Sequence, residues 1–218
     1  MRSASADKPM RQIALPLAAG PGMAPARIVL GRANRAVLDA LSAPEHWPFG
    51  TAILAGPPRS GKSLMARWFI AQQGGQQQGG AEAIDDAFKL DETELFHRWN
   101  RAQEEHTALL LVAGSGGWDI ALPDLASRLG AALHLEIGPP DDEMVAELIE
   151  THAAQHGLLL GDGALNYLVP RIERSFAGIE RLVRAIDRLS LERKQPPTLF
   201  LWRDALAEVM GAEQPRLL

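Results

Sequence analysis

The segment GPPRSGKS, residues 56–63, has the residue types and spacing that cradle a phosphate chain: a glycine, four residues, then Gly-Lys-Ser. Gly56 and Gly61 permit backbone angles and a close approach that a side chain would obstruct, and Pro57, Pro58, Arg59 and Ser60 complete the loop. Lys62 is placed to meet the β and γ phosphates, and Ser63 to offer its hydroxyl to Mg²⁺. The expected cofactor is therefore a nucleotide with Mg²⁺. A metal-holding acid is expected at the end of a neighbouring strand, and AEAI, residues 81–84, runs into Asp85 and Asp86. Asp85 is the candidate Mg²⁺ ligand and Asp86 the candidate to polarise a water, although paired acids after a strand also suit an ordinary turn.

These groups need elements to hold them. TAILA, residues 51–55, is a short β-prone run in front of the loop, and Leu64, Met65, Trp68 and Phe69 behind it repeat at helical spacing, so the loop leaves a strand and opens a helix. The helix dipole and the first free N–H groups then converge where an anion would lie. A loop is expected over QQGGQQQGG, residues 72–80, a helix over 91–105 and a further strand at ALLLVAG from Ala108. Strands alternating with helices predict an α/β fold with a parallel sheet.

After Pro139 and Pro140 the pattern becomes helical. Asp141 and Asp142 suit an N-cap, a second helix starts near Gly163 with a kink expected at Pro170, and 176–193 sets Ile179, Leu182, Val183, Ile186 and Leu189 on one stripe. A last helix is expected over 201–210. The expected organisation is a flexible arm over residues 1–24, an α/β core over 25–138 and a helical lid over 139–218.

Composition closes off several classes. With 218 residues, 46% hydrophobic and 22% charged, the chain reads as globular. A net charge of −5 is the wrong sign for a stand-alone DNA binder, so DNA is expected to be reached only through partners. The absence of cysteine excludes disulfides, thiolate metal sites and cysteine nucleophiles. Neither a membrane span nor an apolar signal core is visible, and a cytoplasmic protein is expected. His152 and His156 lie four apart, but Ala153 stands where a zinc protease motif has Glu, so they read as helix-end residues.

The order GPPRSGKS, IDDAF, LLLVAG, LPDLASRL and a helical bundle introduced by GPPDDE resembles the AAA+ ATPases of the DnaA group, and LPDLASRL, residues 122–129, is similar to its regulatory Hda branch. The resemblance implies an AAA+ phosphate-loop core with a helical lid, and ADP or ATP with Mg²⁺ as the cofactor. It nominates Arg128 as a catalytic arginine finger acting in trans, and Ile28, Val29 and Asn34, in IVLGRAN, as contacts to adenine. It also makes QIALPL, residues 12–17, a docking motif for the β sliding clamp through Gln12, Ile13, Leu15, Pro16 and Leu17, with a disordered tail or a strand added to the body as the alternative. Leu15 and Leu17 suit an apolar groove, and Pro16 trims the entropy lost on docking.

The sensor arginine of that group falls near Ala177, which leaves Arg181, one turn on, as the candidate substitute and Ser115 as a weak second sensor. The strand and helix that usually precede the acidic pair are replaced by QQGGQQQGG, so a trimmed sheet edge is expected. The implied function is regulation of replication initiation: docked on the clamp, the chain would promote hydrolysis of ATP held by DnaA, with at most weak hydrolysis of its own. Two alternatives stay open, an autonomous ATPase of helicase-loader type and an adaptor that holds nucleotide for stability alone. Self-association also stays open.

Overall fold

The computed structural model describes residues 12–14 as backbone, and residues 27–73 and 80–211 in full. Two short strands, β1 (Gln12–Ala14) and β2 (Arg27–Val29), pair antiparallel with Ile13 opposite Ile28. The main sheet holds β3 (Thr51–Ala55), β4 (Ala81–Ile84), β5 (Ala108–Val112) and β6 (Leu133–Glu136) in the order β4-β5-β3-β6, all parallel, with Ile53 beside both Leu111 and His134. The first four helices are α1 (Arg35–Leu41), α2 (Lys62–Gln73), α3 (Glu92–Glu104) and α4 (Pro123–Gly130). They are followed by α5 (Asp142–Gln155), α6 (Ala164–Leu168), α7 (Phe176–Arg193) and α8 (Leu199–Gly211).

The inner strands β3 and β5 are buried on both faces, as their unbroken apolar runs require. Their alternation sorts the core into two layers. Leu54, Leu110 and Val112 pack with Val37, Leu41, Met65 and Phe69 on the α1–α2 side. Ile53, Leu109 and Leu111 pack with Leu95, Trp99, Leu125 and Leu129 on the α3–α4 side. A third apolar cluster joins α5, α6, α7 and α8. Met144 of α5 and Phe176 of α7 belong instead to the α1–α2 layer, so both helices begin on the sheet side before entering the helical cluster. This is the expected α/β fold with a helical C-terminal region, and among the described residues the sheet ends at β4, as the trimmed edge anticipates.

Several expectations are refined. Strand β6 was not anticipated from LHLE, whose exposed His134 and Glu136 alternate with half-buried leucines at the sheet edge. Pro170 does not kink a helix: α6 stops at Leu168, because proline cannot supply the next N–H and crowds the preceding turn. Gln72 and Gln73 continue α2, while 74–79 lie outside the described residues. Helix α3 is capped by Asp91, whose carboxylate accepts from the Thr93 and Glu94 N–H groups. Of the expected arm, only Gln12–Ala14 is described, as a strand on β2; Leu15, Pro16 and Leu17 lie outside the described residues. No described helix is long and apolar enough to cross a membrane.

Candidate functional site

The 56–63 loop joins the end of β3 to the first turn of α2. Gly56 sits at φ 153°, where a Cβ would come within 2.9 Å of the Ile137 Cβ, so both conformation and space demand glycine. Gly61 has φ 87° and Arg59 the left-handed φ 65°, a strained angle for a side-chain-bearing residue. Pro58, Arg59 and Ser63 are exposed, and Pro57 and Lys62 half-buried. The Ser60 hydroxyl is buried and has no hydrogen-bond partner among the described residues, an orphan of the kind a ligand or water satisfies.

Lys62 Nζ donates to the carbonyl oxygens of Gly56 (2.7 Å) and Pro57 (2.9 Å), so its ammonium is folded against its own loop. Burial pushes the Lys62 ammonium down from its ordinary value, while the charges of Asp85 and Asp86 push back. The loop cation and the acids after β4 thus share one electrostatic neighbourhood. Ser63 and Asp85 line one groove with Ala66, Arg67, Ile70 and Ala83. A hydroxyl and one carboxylate suit Mg²⁺, which keeps waters and takes its remaining oxygens from a bound phosphate. Among the described residues no cluster of three acids or histidines would hold a metal unaided. Asp86, in a left-handed conformation with φ 51°, accepts from Lys89 Nζ at 2.5 Å, so one of its oxygens is already engaged.

The other nominated residues are dispersed. Ile28 and Val29 are buried in the α1–α2 layer. The Asn34 amide knits its own turn, donating to the Val29 carbonyl at 2.8 Å and accepting from the Gly31 N–H at 3.0 Å. Arg181 and Ser115 are exposed, on α7 and just beyond β5 respectively. Arg128 lies in the last turn of α4, half-buried, with its guanidinium 4.4 Å from the Trp99 ring centre and 5.0 Å from that of Phe96. Among the described residues it has no ion-pair partner.

One participant escaped the sequence reading. Glu180 on α7 takes the Arg59 guanidinium through two parallel hydrogen bonds, from Nε and from one terminal nitrogen, and also accepts from Arg184. Burial works to raise the Glu180 carboxyl, but Arg59, Arg184 and His152 together outweigh it and hold it below the usual carboxylate range. The bond from Glu180 raises Arg59 in turn. The only signal in the sequence was an acid one turn beyond Ala177, and the two partners are 121 residues apart.

No protein-family model matches the chain. An uncharacterized protein of Haemophilus influenzae is 28% identical over 114 residues, covering 50% of this chain and 49% of that protein. The chromosomal replication initiator DnaA of Thermus thermophilus is 32% identical over 101 residues, covering 45% of this chain and 23% of DnaA. The chain thus spans half or less of the length of the curated relatives it matches. Domain III of Thermotoga maritima DnaA superposes with a TM-score of 0.67 at 14% identity, over 83% of this chain and 93% of that domain. The T. maritima RuvB Holliday junction branch migration motor gives 0.60 at 19%, over 83% and 70%. AMPPCP-bound DnaA of Aquifex aeolicus gives 0.56 at 16%, over 76% and 65%. The chain therefore has the fold of DnaA domain III and the AAA+ ATPases, and its sequence is similar to that of DnaA over about half its length.

Proposed function

We propose that the chain is an AAA+ regulator of replication initiation of the Hda type, which binds ADP or ATP with Mg²⁺ at its 56–63 loop and acts on ATP bound by DnaA. The observation that carries this reading is Arg128, a guanidinium fixed on α4 with no carboxylate partner among the described residues. A planar cation in that state suits charge developing on a phosphoryl group of another polypeptide, an effect of about 10³- to 10⁵-fold where arginine fingers operate.

The loop supports nucleotide binding through its strand–loop–helix setting, the orphaned Ser60 hydroxyl and Lys62, whose ammonium would turn from the Gly56 and Pro57 carbonyls to a phosphate. Ser63 and Asp85 would hold Mg²⁺, which neutralises phosphate charge when bound. The pairing of Asp86 with Lys89, and Ala177 where the DnaA group has a sensor arginine, favour hydrolysis on the partner over hydrolysis in this site. Docking on the β sliding clamp through residues 12–17 would locate an acidic chain beside DNA, and it would require Gln12–Ala14 to exchange its pairing with β2 for the clamp groove. Residues 25–138 would then form the nucleotide-binding core and 139–218 the lid over it.

The test is hydrolysis of DnaA-bound ATP with clamp, DNA and this chain, comparing wild type with Arg128→Ala. Loss of stimulation with ADP binding intact is the expected result. Unchanged stimulation overturns the reading. Turnover without DnaA that vanishes in Asp85→Ala would assign an autonomous ATPase instead.

A further inference from the structure

We infer that Phe96 and Trp99 are positioning residues that hold Arg128 by its flat face and aim its edge outward, toward the phosphate of a nucleotide on another polypeptide; this rests on the trans-acting reading above. The two rings are three residues apart on α3, hence neighbours on one helix face, and the Arg128 guanidinium carbon lies over both. A guanidinium held over aromatic faces can keep its in-plane N–H donors uncommitted. Among the described residues, nothing accepts a hydrogen bond from them. The side chain is held without its donors being consumed, whereas a salt bridge would occupy the edge that has to meet a phosphate.

The same face of α3 also fixes the other end of α4. Glu92, one turn before Phe96, accepts from the Ala121 N–H at 2.9 Å and the Leu122 N–H at 2.6 Å, directly ahead of Pro123. Between these ends Leu125 and Leu129 are buried against the layer that contains Leu95 and Trp99. Helix α4 is therefore pinned at its start by a carboxylate, along its length by apolar packing and at its last turn by the rings. The rotamer entropy of a long arginine is largely lost before any partner arrives, which is the condition for efficient charge stabilisation.

The test removes one ring while leaving buried Trp99 in place. In the clamp- and DNA-dependent assay with ATP-loaded DnaA, Phe96→Leu is expected to lower the maximal rate about three- to tenfold, the scale of one cation–π contact, with the half-saturating concentration unchanged. Phe96→Tyr restores the rate. In an Arg128→Ala background, Phe96→Leu has no further effect, because the two act as one unit. Phe96→Met, which keeps the bulk but not the ring, replaces Phe96→Leu if thermal melting shows the latter unfolded. Equal losses in both backgrounds, a change in half-saturation alone, or no change overturns the proposal while leaving the role of Arg128 intact. Arg128→Ala without effect removes the trans-acting reading itself, and the proposal with it.

Discussion

The Arg59 guanidinium and the Glu180 carboxylate meet in a two-pronged bond that ties the 56–63 loop to α7. Because this contact lowers the Glu180 carboxyl below the usual range, it contributes stability above the ordinary carboxylate pKa and loses it as pH falls through the depressed folded value. Wild type and Glu180→Gln should therefore differ in thermal melting at neutral pH, by about 1 kcal/mol or less because Arg59 is mostly exposed. The two curves should converge under acidic conditions. A gap that stays constant down to low pH would show that Glu180 acts through packing.

Lys62→Ala should abolish stabilisation by ADP. With ligand at a hundred times its dissociation constant, wild type gains about 2.7 kcal/mol, and the variant should show no shift in the same scanning calorimetry experiment. Gly56→Ala should behave likewise for a different reason, since an added methyl would press on Ile137 from a backbone angle that alanine rarely adopts. Full ADP stabilisation of both variants would place nucleotide elsewhere.

Ser63→Ala and Asp85→Asn should reduce the dependence of ATP affinity on Mg²⁺ and leave metal-free ADP binding nearly unchanged, because the two groups face one groove. Isothermal titration with and without Mg²⁺ reads this directly. If Asp86→Asn, rather than Asp85→Asn, removes the dependence, the two acids have exchanged roles.

Removal of residues 1–20 should abolish clamp binding while sparing ADP binding. It also deletes β1, so the control is Leu15→Ala with Leu17→Ala, which leaves the strand pairing of Gln12–Ala14 with β2 in place. Surface plasmon resonance on immobilised clamp distinguishes them. Undiminished binding by both variants would reject the docking motif.

Asp91→Ala should cost about 1 kcal/mol by denaturant unfolding, the usual worth of an N-cap. A change under roughly 0.3 kcal/mol would mean that packing by Leu95 and Trp99 alone sets the start of α3.

What the sequence disclosed was local. AILA and ALLLV are continuous apolar runs because their strands are covered on both faces, and the Asp141 cap and the 176–193 stripe mark helices through neighbours in the chain. Strand β6 stayed hidden because LHLE has only two apolar residues, and they acquire meaning only beside β3. The setting of Lys62 was legible for the same local reason, since strand, loop and helix are contiguous. The Arg59–Glu180 bond and the rings beneath Arg128 were not, because each joins residues that periodicity cannot relate and only the folded packing brings together.

Met144 and Phe176 root α5 and α7 in the sheet-side layer, whereas α8 contributes no buried residue to it. Leu148 of α5 packs against both layers and adds a third root. Glu180 stands only about 6 Å along the axis from Phe176, at 1.5 Å per residue. A tilt of α7 about that rooted end would therefore move the Glu180 carboxylate, and the loop it holds through Arg59, less than it would move residues at the other end of the helix.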